Sequence, residues 1–403
     1  MRNTCRPHGS FTTLALLALL ISLLGFVGAT PAAHAQFNVP SDGSDGAFNP
    51  TQNVTIDLGT AKTATWDTPA DYNLQGVYDP EQWIVVYKFT SVNIPSNVTV
   101  TFKNHPKNPP VVWLVQGDVT INGTVRLDGA ANGREPFHAD GGPGAFRGAK
   151  YLAFSTGGFG WGASNGNNGA PTVMVGNSGV FPLIGGSGGS WAVNGCIQDG
   201  RNGTGGGGAI LIASGTRVMG GGSIRADSPY NSHHCGSFGA GGGGQVRVVA
   251  PLVSIPTVTA TGAINGRIRL EGNSITVGNS LPAYSGAPLP TSFVFLRHAL
   301  TPAIRVVSIG GVAAPADPTG AFASPTDVVV PNPQVQIVLE CKNVPSNATV
   351  EVELRSATNT NYTKVSATFQ SGNLEQSTWI ATGNLGTSLG YATVMARAVL
   401  PNP

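Results

Sequence analysis

The sequence predicts an all-β chain in two parts: a glycine-rich, parallel β-solenoid-like domain, then an immunoglobulin-like β-sandwich. Three observations predict this. Helical periodicity is scarce between Val111 and Val277, and glycine interrupts every candidate helix. One two-strand phrase recurs, as VVWLVQGDVTINGTVRLDG from Val111 to Gly129 and as GGGGAILIASGTRVMGGGSIRADS from Gly205 to Ser228. Shorter echoes are GGGGQVRVVA (Gly241 to Ala250) and GAINGRIRLEG (Gly262 to Gly272). Beyond a proline-rich stretch glycine thins, and about seven strand patterns follow within about 100 residues, the spacing of an antiparallel sandwich.

Composition narrows the class further. Charged residues make up only 10% of the chain, against 56 glycines. That balance lacks the broad basic footprint of a nucleic-acid binder. Frequent Val, Ile and Thr at low charge suit short strands joined by tight turns.

Residues 1–35 read as a secretory signal peptide. Arg2 and Arg6 precede an apolar run from Leu14 to Val27, and Ala33-His34-Ala35 offers a cleavage site before Gln36. The run is short for a membrane span, and no later segment approaches the ~20 apolar residues one needs. The expected location is outside a bacterial cell, secreted or on its surface. With Arg2 and Arg6 gone, basic and acidic side chains balance.

Residues 36–110 form an N-terminal β cap region, with strands in NVTIDLG, WIVVYKF and VTVTF. The turn Asp42-Gly43-Ser44-Asp45-Gly46 resembles part of a calcium loop, since alternate oxygen ligands suit a hard cation. It lacks the downstream glutamate and reads better as an Asx turn. Calcium is the one cofactor the sequence raises. A second turn, Asn93-Ile94-Pro95-Ser96-Asn97, returns nearly verbatim as Asn343-Val344-Pro345-Ser346-Asn347.

Residues 111–280 are the solenoid-like domain. Ile224 and Ile268 fall at matching places in the repeated phrase, about 44 residues apart, which fits two coils of roughly 20 to 25 residues. Residues 132–202 read as long excursions from the coil. The glycine runs allow two readings. The preferred one is tight corners with positive φ; the other is extended polyglycine segments packed side by side.

Residues 281–300 are a proline-containing linker and residues 301–403 the sandwich. Its strands are expected at Ile304–Ile309, Asp327–Val330, Val335–Glu340, Thr349–Leu354, Lys364–Phe369, Ser377–Thr382 and Ala392–Ala398.

The strongest chemical pattern lies in the repeats. Arg126-Leu127-Asp128, Arg225-Ala226-Asp227 and Arg269-Leu270-Glu271 each put an arginine and an acid on one strand face, opposite an apolar face. Stacking the three would make a ladder of charges about 4.8 Å apart. As structure it is a compensated surface ladder; as function it is a stripe for a sugar acid or calcium. Asp118, Asp140 and Asp199 sit in or beside loops, near Arg134, Arg147 and Arg201. A polysaccharide lyase or glycoside hydrolase would draw on Asp128, Asp140, Asp199, Asp227, Arg134 and Arg201. It should gather at least three of them in one cleft.

Trp161 and Trp191, with Phe154 and Phe159, would either stack on sugars or plug the solenoid. An oxidising compartment favours a Cys196–Cys235 disulfide and leaves Cys341 over. His233-His234-Cys235 lacks a second ligand pair at zinc spacing, so no metal site is expected. No serine has the strand–elbow–helix setting of an acyl-transfer nucleophile.

NIPSNVTVTFKNHPKNPPVVWLVQGDVTINGTVRLDG, followed by GPGAFRG and GGGGAILIAS, resembles glycine-rich exported bacterial proteins akin in style to pectin-lyase-like β-helices, with an immunoglobulin-like tail. The resemblance covers most of the mature chain. Its motifs are structural, so it implies no catalytic residues. The function expected is a non-catalytic structural or adhesive protein, secreted or on the cell surface. The alternatives are a carbohydrate-active enzyme and a non-catalytic glycan binder. Expected partners are extracellular polysaccharide or cell-surface components.

Overall fold

The computed structural model describes residues 37–70, 74–131, 139–148, 180–189, 203–229, 232–233, 236–237, 241–296, 300–315, 327–356, 363–386 and 392–400. Among them there is no α-helix, and one 3-10 turn, Leu58–Thr60, breaks an otherwise all-β chain. The segment expected to be a signal peptide, and with it Arg134, Trp161, Trp191, Cys196, Asp199, Arg201 and Cys235, lie outside the described residues.

Seventeen strands form one sheet in which every pairing is parallel except that of Val77–Asp79 with Ile84–Ile94. Its pairings fall into three ladders. The first stacks Val85, Val111, Ile210, Val246 and Ile268. The second stacks Val92, Val119, Val218, Val253 and Ile275. The third stacks Val54, Val100, Val125, Ile224, Val258 and Ser280. These rows point inward into one core with Tyr87, Phe89 and Trp113, whose rings meet at 5.7 and 5.8 Å. β-Branched side chains fit such stacks because each packs on its neighbours across the pleat.

The register corrects the expected repeat. Ile224 pairs with Val258, in the third ladder, and Ile268 with Val246, in the first. Ile224 and Ile268 are therefore not equivalent. Both follow the same in–out alternation, which makes two different ladders look alike in sequence. The last steps, Val246 to Ile268 and Val253 to Ile275, are about 22 residues. The step from Val111–Val115 to Ala209–Ser214 is far longer; Thr124 meets Ser223 across 99 residues.

The outward face of the first ladder is also covered. Val86, Val112, Leu114, Leu211, Ala213 and Val249 form a second buried layer with Val39 and Phe295, flanked by Trp66 and Phe293. Burial on both faces explains why Val111–Val115, Ala209–Ser214 and Gln245–Val249 read as unbroken runs.

The glycine runs overturn the preferred corner reading. None of Gly205 to Gly208 or Gly241 to Gly244 has a positive φ. They are extended segments bonded to neighbours on several sides. The amides of Gly205 and Gly208 donate to Ala130 and Leu127, that of Gly206 to Phe146, and that of Gly207 to Gly242. Partners thus repeat every three residues, the period of a polyproline-II-type helix. Backbones pack so closely that a Cβ on Gly206 would overlap the carbonyl of Gly186, and one on Gly244 that of Gly208.

The C-terminal strands form two antiparallel sheets around a separate core that includes Ile337, Leu339, Val352 and Trp379. One sheet runs Val312–Ala313, Ala303–Ile309, Gln334–Lys342, Ser377–Asn384, Thr368–Gly372. The other runs Thr363–Ser366, Thr349–Ser356, Ala392–Val399. Two expected strands are corrected. Residues 327–330 are not a strand: Val329 is 76% exposed and Pro331 and Pro333 follow. The pattern at Lys364–Phe369 is two strands, one in each sheet, switching at buried Ala367. The twice-used turn is the same structure in both places, with Val98 donating to Pro95 and Ala348 to Pro345.

Candidate functional site

Asp128 and Asp227 lie just past the ends of neighbouring strands of the third ladder, Thr124–Arg126 and Ser223–Arg225. Arg126 Nε reaches Asp128 Oδ2 at 2.7 Å, and Arg225 bridges both acids, at 3.3 Å to Asp128 and 3.2 Å to Asp227. The remaining acceptors are also engaged. Asp128 Oδ1 takes the Asp227 amide at 2.9 Å, while Asp227 takes Thr259 Oγ1 and both the amide and hydroxyl of Thr261. Both carboxylates are nearly buried, at 6% and 12% side-chain exposure. The pair is a seam between strands, with the guanidinium groups facing outward.

Arg269 belongs elsewhere, which corrects the three-rung stripe. It stands beside Arg247 on the outward face of the first ladder, and both bond Glu271 Oε1 at 2.8 Å. Arg247 also donates to the Val294 carbonyl, pinning the segment that carries Phe295. The place of Arg225 in the next strand is taken by Thr259.

A cleft of about 2480 Å³ is lined by Tyr78, Trp83, Phe102, His105, Asp128 and Asp140 among others, and on its other wall by C-terminal strands. Of the described candidates, Arg126, Asp128 and Asp140 line it, and Arg225, Asp227 and Arg269 do not. Asp140 is exposed and paired with Arg147 at 2.8 Å.

Sequence reasoning missed the aromatic side of this cleft. His105 packs against Tyr78 with ring centroids 4.2 Å apart and planes tilted by 35°. Burial, and then the nearby Lys107 charge, hold its pKa below the usual histidine value. His105 Nδ1 accepts the Lys107 amide at 3.0 Å, so the neutral ring carries its proton on Nε2. Trp83 donates its indole N–H to the Lys107 carbonyl at 2.9 Å. The only signal was the loop Asn104-His105-Pro106-Lys107-Asn108, whose proline marks a turn and says nothing about chemistry.

The Asp42–Gly46 turn serves a buried lysine. Lys88 Nζ, 2% exposed, contacts Asp42 Oδ2 at 2.9 Å and the carbonyls of Asp67 and Thr68. Asp45 accepts the amides of Lys88 and Gly76. Burial raises the pKa of Asp45, against the pull of those amides. Burial also opposes ionisation of Asp42, but hydrogen bonds from Ser44 and Lys88 outweigh it and its pKa is lowered. Among the described residues no three His, Cys, Asp or Glu side chains gather as a metal site.

No protein-family model, curated protein or solved structure matches the chain. Among the described residues no helix is long and apolar enough to cross a membrane. Cys341 is a buried free thiol, its pKa pushed up to about 11 by burial and by Glu340. A thiol so placed is poorly nucleophilic.

Proposed function

We propose that the mature chain is a non-catalytic structural and adhesive protein, secreted or held at a bacterial cell surface. In this reading the three ladders are the walls of a β-solenoid, and the C-terminal sheets an immunoglobulin-like sandwich. Parallel rows that return at steps of about 22 residues support the first. Strand order supports the second: in sandwich lettering the sheets are A-B-E-D and C′-C-F. The glycine-rich exported proteins named above remain the family it resembles.

One observation carries the functional reading. Asp128 and Asp227, the acids a solenoid hydrolase or lyase would draw on, accept bonds from arginine, threonine and backbone on both oxygens. A general acid or base needs a carboxyl free to exchange a proton with substrate. These are tied into the wall.

The test is a polysaccharide panel incubated with purified mature protein, beside binding of the same protein to intact bacterial cells. The expected outcome is cell binding with no depolymerisation. Depolymerisation that disappears in Asp128→Asn would replace this reading with the enzymatic one. The half-buried rings of Trp83, Phe102 and His105 on the cleft wall favour a second reading, glycan binding in the cleft, because aromatic rings offer faces to sugars. It predicts glycan-array retention that Trp83→Ala abolishes.

A further inference from the structure

The three ladders finish differently at their two ends. At the N-terminal end Phe48, Ile56 and Leu58 close the core, each at most 3% exposed. At the other end the second and third ladders stop on Ser274–Leu281. That strand pairs with Leu252–Thr259 on both sides of Gly278, and among the described residues no strand pairs with its other edge. Ile275 and Val277 cap the core and are only partly buried; Leu281 is 49% and Tyr284 37% exposed.

An open edge is a template for another strand, and monomers blunt such edges with charge, proline or brevity. Here there are eight residues with no proline among them, and no charged residue occurs from Gly272 to Leu296. The strand also bends in a useful place. Ile275 and Val277 align with inward Val253 and Ile255, while Ser280 aligns with inward Val258. Inward parity thus changes at Gly278, where the second ladder meets the third.

We propose that a second copy of this chain pairs antiparallel with Ser274–Leu281, tail to tail, about a two-fold axis at the Gly278 bend. Such an axis sets Val277 opposite Gly278 of the second copy, Thr276 opposite its Asn279, and Ile275 opposite its Ser280. Inward residues meet inward residues, so each copy closes the other's core. The strand suits itself because it is neutral and pairs without like-charge repulsion. Closure is isologous and stops at two, since the opposite end is already covered.

Sedimentation equilibrium of the mature protein tests this. The expected result is a dimer that Thr276→Lys with Asn279→Lys weakens at least about tenfold, because like charges then face each other across the axis. Both positions are exposed in the single copy, so circular dichroism and the melting profile at high dilution should be unchanged. A wild type that stays monomeric, or a variant that dimerises equally well, overturns the proposal. Amide exchange gives an independent readout. Protection of residues 275–281 should rise with wild-type concentration, and concentration-independent exchange there would also overturn it.

Discussion

Asp118 shows how single groups tie distant parts of this chain. Its carboxylate takes Thr216 Oγ1 and Arg217 Nη2, 98 and 99 residues away. Burial opposes its ionisation, yet those two hydrogen bonds and the Arg217 charge hold its pKa below the usual carboxylate value. A depressed carboxylate contributes stability above its unfolded pKa of about 3.9 and loses it as pH falls through the folded value. Asp118→Asn should therefore lower the urea midpoint at neutral pH, and the gap to wild type should close near pH ~3. A gap that stays constant would mean that the bonds matter and the charge does not. Asp45 has the opposite sign: its raised pKa means that acid protonates it in the folded protein first, so its own contribution grows as pH falls. The sequence placed Asp118 in or beside a loop but could not name its partner. Arg217 lies on the far side of a long insertion, and no local spacing encodes that distance.

At the scale of elements the strands were legible and the glycine segments were not. Val111–Val115 and Ala209–Ser214 announce themselves as apolar runs bounded by glycine and turn residues. Gly205 to Gly208 carry no side chains, so sequence offers only permission, and it admits the extended bundle as well as the corners it favoured. The structure decides through backbone contacts that no residue type signals. Gly206→Ala is expected to abolish folding or cost more than about 3 kcal/mol, since its Cβ would overlap backbone that cannot withdraw. Gly221→Ala is the contrast. Its Cβ would meet only Asn122 Oδ1 at 3.7 Å, and its effect should stay within about 0.5 kcal/mol. Thermal unfolding of the two variants separates a packing requirement from a general preference for glycine. The C-terminal strand at Lys364–Phe369 was misread for a related reason. A chain that crosses between sheets keeps its alternation while its partners change, and alternation was all the sequence displayed.

Across the whole molecule, the second buried layer joins sequence regions that looked independent. Trp66 meets Phe295 edge-on at 5.0 Å, and Phe37 meets Phe293 at 5.6 Å. Phe37, Val39 and Trp66 thus pack with residues 289–296 over the first ladder. Phe295→Ala should cost about 3 kcal/mol in denaturant unfolding and expose the outer face of the first ladder to amide exchange. Unchanged exchange at Leu211 and Val249 would show that the segment covers nothing. Legibility at this scale was partial. The alternation of the three repeated endings placed each arginine beside its acid, and the ion pairs at Arg126, Arg225 and Arg269 reflect it. Which endings stack on one another depends on insertion lengths, and these vary too much along the chain for a period to emerge.

The polyglycine bundle has a consequence for how such a gene can change length. Gly205 and Gly208 address the same neighbouring segment, while Gly206 and Gly207 address two others. Removing one glycine would rotate every later amide by a third of a turn and present each to the wrong neighbour. Removing three would restore the phase. Within these segments, insertions and deletions should be tolerated only in whole triplets of residues, a reading frame imposed by the protein's own backbone.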